Sequence, residues 1–190
     1  SYYKGLMVNA ALVQHYHEIA DKSPIPIIIY NMPANSGMDM DADLILAISS
    51  HPNIIGLKDS GGNLGKMAEI IEESDDDFQV LAGSAGFLLP ALSIGAVGGV
   101  LALANIAPRD CISIYKLFKD NEIEKSAAVQ RKVIRLNAAV TRGWGVPALK
   151  AAMDHLGLYG GPCRKPIQLL AEDKKQKLYK MLESHSNIKA

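Results

Sequence analysis

The sequence predicts an α/β fold in which four parallel strands alternate with helices and a helical segment completes the chain. Four short apolar runs recur between residues 26 and 104, and each run is followed by a segment with helical spacing. Because the runs are apolar throughout, each strand is expected to be buried on both faces, which is typical of a parallel sheet covered by helices. The short, regular spacing favours a (β/α) barrel over a doubly wound sheet, although four strands do not close an eight-stranded barrel.

The chain opens with a predicted helix and a predicted strand. Apolar residues recur at spacings of three and four over residues 4–22, which predicts an amphipathic helix. Ser23-Pro24 ends this helix, because proline disfavours helical backbone in the residue before it. The β-branched run 26–30 predicts a buried strand, and the turn-rich segment 31–37 predicts a loop.

The same alternation continues along the chain. Acidic residues precede a predicted helix over 42–49, where they suit the positive helix N-terminus, and Pro52 ends it. A strand over 53–57 follows, with Lys58 in the loop after it. The remaining predicted elements are the strands 78–82 and 98–104 and the helices 64–73, 87–94, 110–119, 122–142, 147–156 and 172–182.

The composition excludes several classes of protein. The chain has 190 residues, of which 48% are hydrophobic and 21% charged, and its 20 basic residues balance 20 acidic ones. Without a basic stripe, nucleic acid is not an expected partner, and without a long apolar run, no membrane contact is expected. Two cysteines do not form a disulfide framework, so a reducing compartment is the expectation.

The carboxyl ends of parallel strands are where function sits in this architecture. Tyr30 and Lys58 stand at equivalent ends of consecutive strands, so their side chains approach each other if both point inward. A desolvated lysine amine attacks a carbonyl to form an imine, and a nearby phenol moves protons. The competing interpretation is a solvated lysine and a packing tyrosine.

Two glycine-containing loops end neighbouring strands. Residues 83–86 and 60–63 offer backbone N–H groups that bind a carboxylate or phosphate, or they are tight turns that require small residues. Ser84 is a candidate N-cap for the following helix. Val100 and the loop beyond it complete the set of strand ends.

Two motifs carry a family resemblance. Residues 30–37, YNMPANSG, resemble the Y-N-x-P-x-x-[ST]-G segment of the dihydrodipicolinate synthase / N-acetylneuraminate lyase family. Residues 56–60, GLKDS, resemble its G-x-K-[DE]-[ST] Schiff-base segment, at the matching separation. Four further stretches resemble the 4-hydroxy-2-oxoglutarate aldolase branch of this family. They are residues 58–62, 78–87, 137–142 and 159–164.

The resemblance implies a class I aldolase that uses pyruvate chemistry, takes a small 2-oxo acid substrate, needs no metal or other cofactor, and forms a homotetramer. It implies that Lys58 forms the imine and that Tyr30 relays protons. It also implies that Ser60, Gly83 and Val100 line the substrate site. Tyr3 corresponds to a family tyrosine that reaches the active site of a neighbouring subunit, with a spacing that differs by one residue. The expected compartment is intracellular: mitochondrial if the chain is like the metazoan aldolase, and otherwise cytoplasmic.

The resemblance covers the second half of that family's fold. It implies a partial TIM (β/α)8 barrel over residues 1–120, with the first four strands missing, and a C-terminal helical module over residues 121–190. The absent strands carry the glycine-rich loop and the hydroxyl pair that complete the family's site. We therefore expect this chain alone to be a weak or inactive aldolase.

Three alternatives stay open at this point. In the first alternative, the aldehyde partner is that of dihydrodipicolinate synthase. In the second, it is that of a sugar-acid or N-acetylneuraminate aldolase. The third alternative is a non-catalytic half-barrel, whose two raw sheet edges pair with another chain.

Overall fold

The computed structural model describes residues 4–185, and the chain packs as two units. The first unit contains the residues up to Gly83 together with Pro90–Val100. The second contains Ser84–Leu89 and the residues from Leu101 onward. The predicted domain boundary at residue 120 stays a prediction.

A four-stranded parallel sheet forms the centre of the first unit. Its strands are β1 (Ile27–Asn31), β2 (Ile54–Asp59), β3 (Gln79–Ala82) and β4 (Gly98–Gly99), and they lie in the order of the chain. Every neighbouring pair is parallel, which confirms the α/β class and the parallel sheet. Isoleucine-rich segments favour this structure because β-branched side chains pack well on a pleated surface.

Helices of the first unit precede or connect the strands. They are α1 (Asn9–Lys22), α2 (Pro33–Ser36), α3 (Ala42–Ser49), α4 (Leu64–Glu73) and α5 (Leu88–Ser93), the last of which begins in the second unit. The predicted bounds of α3 and α4 are confirmed. Asp41 caps α3 by accepting a bond from Leu44 N at 2.9 Å, and Asn63 caps α4 by accepting one from Lys66 N at 3.1 Å.

The sheet has a covered face and an open face. On the covered face, where α3 and α4 contact the strands, Ile29, Leu57 and Val80 are at most 1% exposed. On the open face, Ile28 is 47% exposed and Tyr30 is 51% exposed. The expectation that every strand is buried on both faces therefore does not hold for the described chain. Burial of one apolar face drives this unit together.

The second unit is helical. It contains α6 (Pro108–Lys119), α7 (Ile123–Ala138), α8 (Gly145–His155) and α9 (Glu172–Glu183), with a π-helical turn at Ala139–Gly143 and short 3₁₀ helices at Ala85–Phe87 and Ala102–Asn105. Ile114, Val133, Ala148 and Leu178 are fully buried. Among residues 4–185, no helix is both long enough and apolar enough to cross a membrane.

Two buried polar side chains of the second unit, Gln130 and His185, have hydrogen-bond partners. The Gln130 amide donates to Ala85 O at 2.7 Å and accepts from Leu89 N at 3.0 Å. His185 lies 2.6 Å from the fully buried carboxylate of Asp110. Such partners are required because a buried polar group without one is costly.

Several elements differ from their predictions, among them the first helix, which begins at Asn9 rather than at residue 4. The second strand does not end at residue 57 but continues through Lys58 to Asp59. The fourth strand covers Gly98–Gly99 rather than 98–104, because its alanine and leucine residues favour the 3₁₀ helix at Ala102–Asn105. The predicted loop 31–37 contains the one-turn helix α2, which begins at Pro33 and is capped by Gly37, whose φ is 70°.

Candidate active site

Lys58 and Tyr30 lie side by side on the open face of the sheet. They are Cα partners in the parallel register of β1 and β2. The Lys58 Nζ atom lies 4.0 Å from the centre of the Tyr30 ring. Their predicted proximity is therefore present, whereas their catalytic roles stay predictions.

A β-bulge sets the register that brings these two side chains together. Ile27 pairs with Ile54, but the next residue, Ile28, pairs with Gly56, so the partner strand contains one extra residue. If Ile28 paired with Ile55 instead and the register continued unbroken, Lys58 would lie opposite Asn31 and on the other face of the sheet from Tyr30. The bulge is thus the local feature that turns the lysine toward the phenol.

Lys58 is half-buried, and its ammonium group lies over the face of the Tyr30 ring. An exposed cation–π contact of this kind contributes about 0.5–1 kcal/mol. The contact also limits the positions that the lysine chain occupies. Both reacting groups are consequently near each other before any substrate binds, which reduces the ordering that a reaction requires.

Ser60 and Gly83 lie together at the carboxyl edge of the sheet. The Gly83 amide donates to Asp59 O at 2.7 Å, and the Ser60 hydroxyl approaches Gly83 O at 3.5 Å. A Cβ atom on Gly83 would lie 2.7 Å from Asp59 O and 2.8 Å from Ser60 Cα. Close approach of the chain therefore requires glycine here, independently of any ligand. Substrate contacts at both residues stay predictions.

The other candidate residues have different surroundings. Val100 continues the sheet through its amide, which donates to Ala82 O at 2.9 Å, and its side chain is 51% exposed. The Ser84 hydroxyl accepts from Gly86 N at 3.2 Å and from the Asn137 amide at 3.0 Å. Its predicted capping role is confirmed, and these bonds favour the tight-turn interpretation of loop 83–86. Tyr3 lies outside the described residues.

A polar cluster on the covered face was missed by sequence reasoning. It consists of Asn31, Asp39, Asp59 and Lys66, and we call it the anchor cluster. Asn31 donates to both carboxylates, at 2.8 Å to Asp39 and 2.7 Å to Asp59. Lys66 lies 2.6 Å from Asp39 and 3.3 Å from Asp59. The only sequence signal was that Asn31 and Asp59 directly follow Tyr30 and Lys58.

The pKa of Asp39 is lowered by this cluster. Desolvation acts as the largest single influence and raises the pKa, but the hydrogen bonds from Lys66 and Asn31 and the charge of Lys66 together outweigh it. Asp39 is therefore a carboxylate at neutral pH, and the cluster contains two negative groups around one lysine.

Fold and site together define an α/β protein with an amine–phenol pair at the carboxyl edge of a parallel sheet. The chain belongs to the dihydrodipicolinate synthetase family, whose model matches residues 2–185. This confirms the resemblance carried by the two motifs.

Individual relatives refine this assignment. The chain is 42% identical, over 87% of its length, to a protein of Emericella nidulans named "Probable 4-hydroxy-2-oxoglutarate aldolase, mitochondrial", and it covers 54% of that protein. It is 36% identical to 4-hydroxy-tetrahydrodipicolinate synthase 1 of Halalkalibacterium halodurans, over 87% of the chain and 56% of the relative. The chain thus spans about half the length of these curated relatives.

A solved structure shows the same fold. The crystal structure of a dihydrodipicolinate synthase from Bacillus anthracis matches with a TM-score of 0.89 and 29% identity. The match covers 93% of this chain and 61% of the solved chain. The α/β arrangement described above is therefore shared with a dihydrodipicolinate synthase.

Proposed function

We propose that this chain carries the nucleophile and proton relay of a class I aldolase, a lyase that works through a lysine imine. Lys58 is the proposed nucleophile and Tyr30 the proposed proton relay. The observation that carries the proposal is the 4.0 Å separation of the Lys58 amine and the Tyr30 ring at the carboxyl edge of a parallel sheet. Membership of the dihydrodipicolinate synthetase family supports it.

The proposed reaction is the cleavage of 4-hydroxy-2-oxoglutarate. The Lys58 amine, in its neutral form, adds to the 2-oxo carbon, and the Tyr30 phenol then gives its proton to the departing hydroxyl group, so that the carbinolamine loses water and leaves a protonated imine and a phenolate. The Tyr30 phenolate takes the proton of the 4-hydroxyl group, and the C3–C4 bond breaks. Its electron pair moves to the imine nitrogen, which gives an enamine and free glyoxylate. Protonation at C3 and hydrolysis then release pyruvate and restore the amine.

The choice of substrate follows the relative of highest identity among those described above. The name of the Emericella protein supports 4-hydroxy-2-oxoglutarate and a mitochondrial location. The Halalkalibacterium synthase supports the alternative, in which pyruvate condenses with an aldehyde in the dihydrodipicolinate synthase reaction. A sugar-acid aldolase is the further alternative. Comparing cleavage of 4-hydroxy-2-oxoglutarate with condensation of pyruvate and aspartate semialdehyde separates the two leading candidates.

The proposed assembly is a partial (β/α)8 barrel that functions within a homotetramer. Residues 4–185 contain four parallel strands, whereas a closed barrel of this type needs eight. Ser60, Gly83 and Val100 are the proposed lining of the substrate site, and Tyr3 is the proposed relay between subunits. Because part of that lining comes from the other strands, we propose that this chain alone turns over substrate slowly or not at all.

Imine trapping tests the nucleophile without requiring turnover. The chain is incubated with pyruvate and borohydride, which reduces any imine to a stable N-(1-carboxyethyl) group, and peptides are mapped by mass spectrometry. We expect the modification to concentrate on Lys58 and to disappear in Lys58→Arg. Lys66 is the internal control, because its ammonium group is held by carboxylates. Equal modification of all lysines, or none on Lys58, would reject the proposed nucleophile.

A second candidate function is a non-catalytic half-barrel that binds another chain. The exposed apolar side chains of the first unit favour it, since Ile28, Val97 and Val100 are each between 44% and 51% exposed. Sedimentation velocity of the purified chain tests it. A folded monomer over a wide concentration range would reject self-association through this surface.

A further inference from the structure

The anchor cluster places charged groups where the sheet is otherwise apolar. Asp59 is fully buried, Asn31 is 1% exposed and Lys66 is 8% exposed. Replacing a buried ion pair with well-packed apolar side chains is often neutral or stabilising, so packing alone does not explain why charges occupy this layer. The contacts of the cluster indicate a different role.

The Asp59 carboxylate is bonded on every side. One oxygen accepts from Gly61 N at 2.8 Å and from Gly62 N at 3.1 Å. The other accepts from the Asn31 amide at 2.7 Å and lies 3.3 Å from the Lys66 Nζ atom. A single side chain thus ties β2 to β1, to the loop that follows β2, and to α4.

Lys66 directs its ammonium group to two carboxylates of this cluster and to the backbone of Met40. It donates to Asp39 at 2.6 Å and to Met40 O at 3.0 Å, and the Asp59 carboxylate lies at 3.3 Å. Three oxygen atoms thus surround the ammonium group of a side chain that is only 8% exposed. Lys66 is therefore a structural cation, although it lies in the same unit as Lys58.

The cluster lies directly behind the candidate catalytic pair. Asn31 and Asp59 are Cα partners, as are Tyr30 and Lys58 immediately before them. Since side chains alternate along a strand, one pair points to the covered face and the other to the open face. In the register without the bulge, Asn31 would face Lys58 instead of Asp59, so the 2.7 Å bond between Asn31 and Asp59 belongs to the bulged register alone.

We propose that Asn31, Asp59 and Lys66 are positioning residues that lock the bulged register of β1 and β2 and thereby hold the Lys58 amine against the Tyr30 ring. This inference rests on the proposed function for its catalytic consequence but not for its structural content. A displacement of about 1 Å at a reacting group lowers a rate by up to about 100-fold. We therefore expect loss of the cluster to slow imine formation about 10- to 100-fold in protein that is still folded.

The test uses a spectroscopic signal that does not depend on catalysis. In a chain labelled with ε-¹³C-lysine, the Lys58 ε-methylene protons lie near the Tyr30 ring and are shifted upfield by its ring current. Tyr30→Leu assigns the signal by abolishing that shift. We expect Asp59→Asn and Lys66→Met to move the signal toward the position of a free lysine. Asp41→Asn, which alters a carboxylate outside the cluster, is expected to leave it unchanged.

Asn31→Ser keeps the inference testable if the loss of a buried charge unfolds the chain. It removes the bonds from the Asn31 amide to Asp59 and Asp39 and the bond that Asn31 Oδ1 accepts from Met40 N, but it leaves the ion pair of Asp59 with Lys66 in place. Circular dichroism identifies a temperature at which each variant is folded, and Lys66→Arg tests rescue by a conserved charge. A Lys58 signal that stays at its wild-type, ring-shifted position in folded Asn31→Ser or Asp59→Asn would overturn the inference.

The borohydride trap, run at saturating pyruvate on the same variants, gives the catalytic consequence. A displaced Lys58 signal with slow trapping supports both proposals. A displaced signal in a chain whose wild type forms no imine would retain the positioning role and reject the aldolase. Trapping at the wild-type rate in variants with a displaced signal would reject the claim that position limits the reaction.

Discussion

Gly83→Ala gives the sharpest test of how the carboxyl edge of the sheet is packed. The added methyl group would lie 2.7 Å from Asp59 O, 2.8 Å from Ser60 Cα and closer still to the Ser60 hydroxyl. The hydroxyl rotates away at little cost, but the other two atoms belong to the backbone of β2 and its loop. Overpacking against backbone costs about 3 kcal/mol, which for a chain of this size lowers Tm by roughly 6–12 °C.

The measurement is thermal unfolding followed by circular dichroism, with urea denaturation as a second determination. Gly65→Ala is the matched control, because its methyl group meets only Asn63 Oδ1, at 3.4 Å, and lies in α4. Alanine favours helix over glycine, so this control is expected to gain up to about 1 kcal/mol. If Gly83→Ala unfolds at the wild-type temperature or above, the close packing of Gly83 against β2 is incorrect.

Three further predictions concern burial and charge. Ile29→Ala should lower the free energy of unfolding by about 2–5 kcal/mol and Ile28→Ala by less than about 1 kcal/mol, since the two residues occupy opposite faces of β1; equal losses in urea denaturation would contradict the open face. The pKa of Asp39 lies below its ordinary value of 3.8, so the contribution of its carboxylate to the free energy of unfolding is complete above that pH. This contribution is lost as the pH falls through the lower pKa of the folded state. Asp39→Asn should therefore flatten the acid side of a plot of the free energy of unfolding against pH. Burial, followed by the charge of the neighbouring residue Asp110, raises the pKa of Cys111 to about 11, so iodoacetamide at pH 8 should label the half-buried Cys163 first; faster labelling of Cys111 by peptide mapping would contradict this.

Much of the fold follows from local sequence rules. The bounds of α3 and α4 were predictable because an acidic or amide cap precedes each helix and a short apolar stripe runs along it. The apolar run 98–104 was misassigned because its alanine and leucine residues suit a helix as well as a strand. Such short runs are decided by tertiary contacts, which local periodicity does not contain.

The site was predictable in its residues but not in the geometry that joins them. Motifs identified Tyr30 and Lys58, yet strict alternation from Ile54 would turn Lys58 to the covered face. The bulge at Ile55 corrects this, and a bulge depends on pairing with the neighbouring strand rather than on one segment. The anchor cluster was missed for the same reason, since Lys66 lies on the following helix and reaches the strand ends only after folding.

The open face links the stability of this chain to its proposed chemistry. Ile28 and Val100 leave apolar surface in water, and Lys58, which lies beside Tyr30, is only half-buried. Burial both stabilises apolar side chains and favours the neutral amine that attacks a carbonyl. Covering this face with the other strands of a closed barrel would provide both effects at once, whereas the anchor cluster already fixes the register from behind. The described residues thus hold Lys58 beside Tyr30 on a partly exposed face, which is the physical reason that we expect slow imine formation at Lys58 and little turnover.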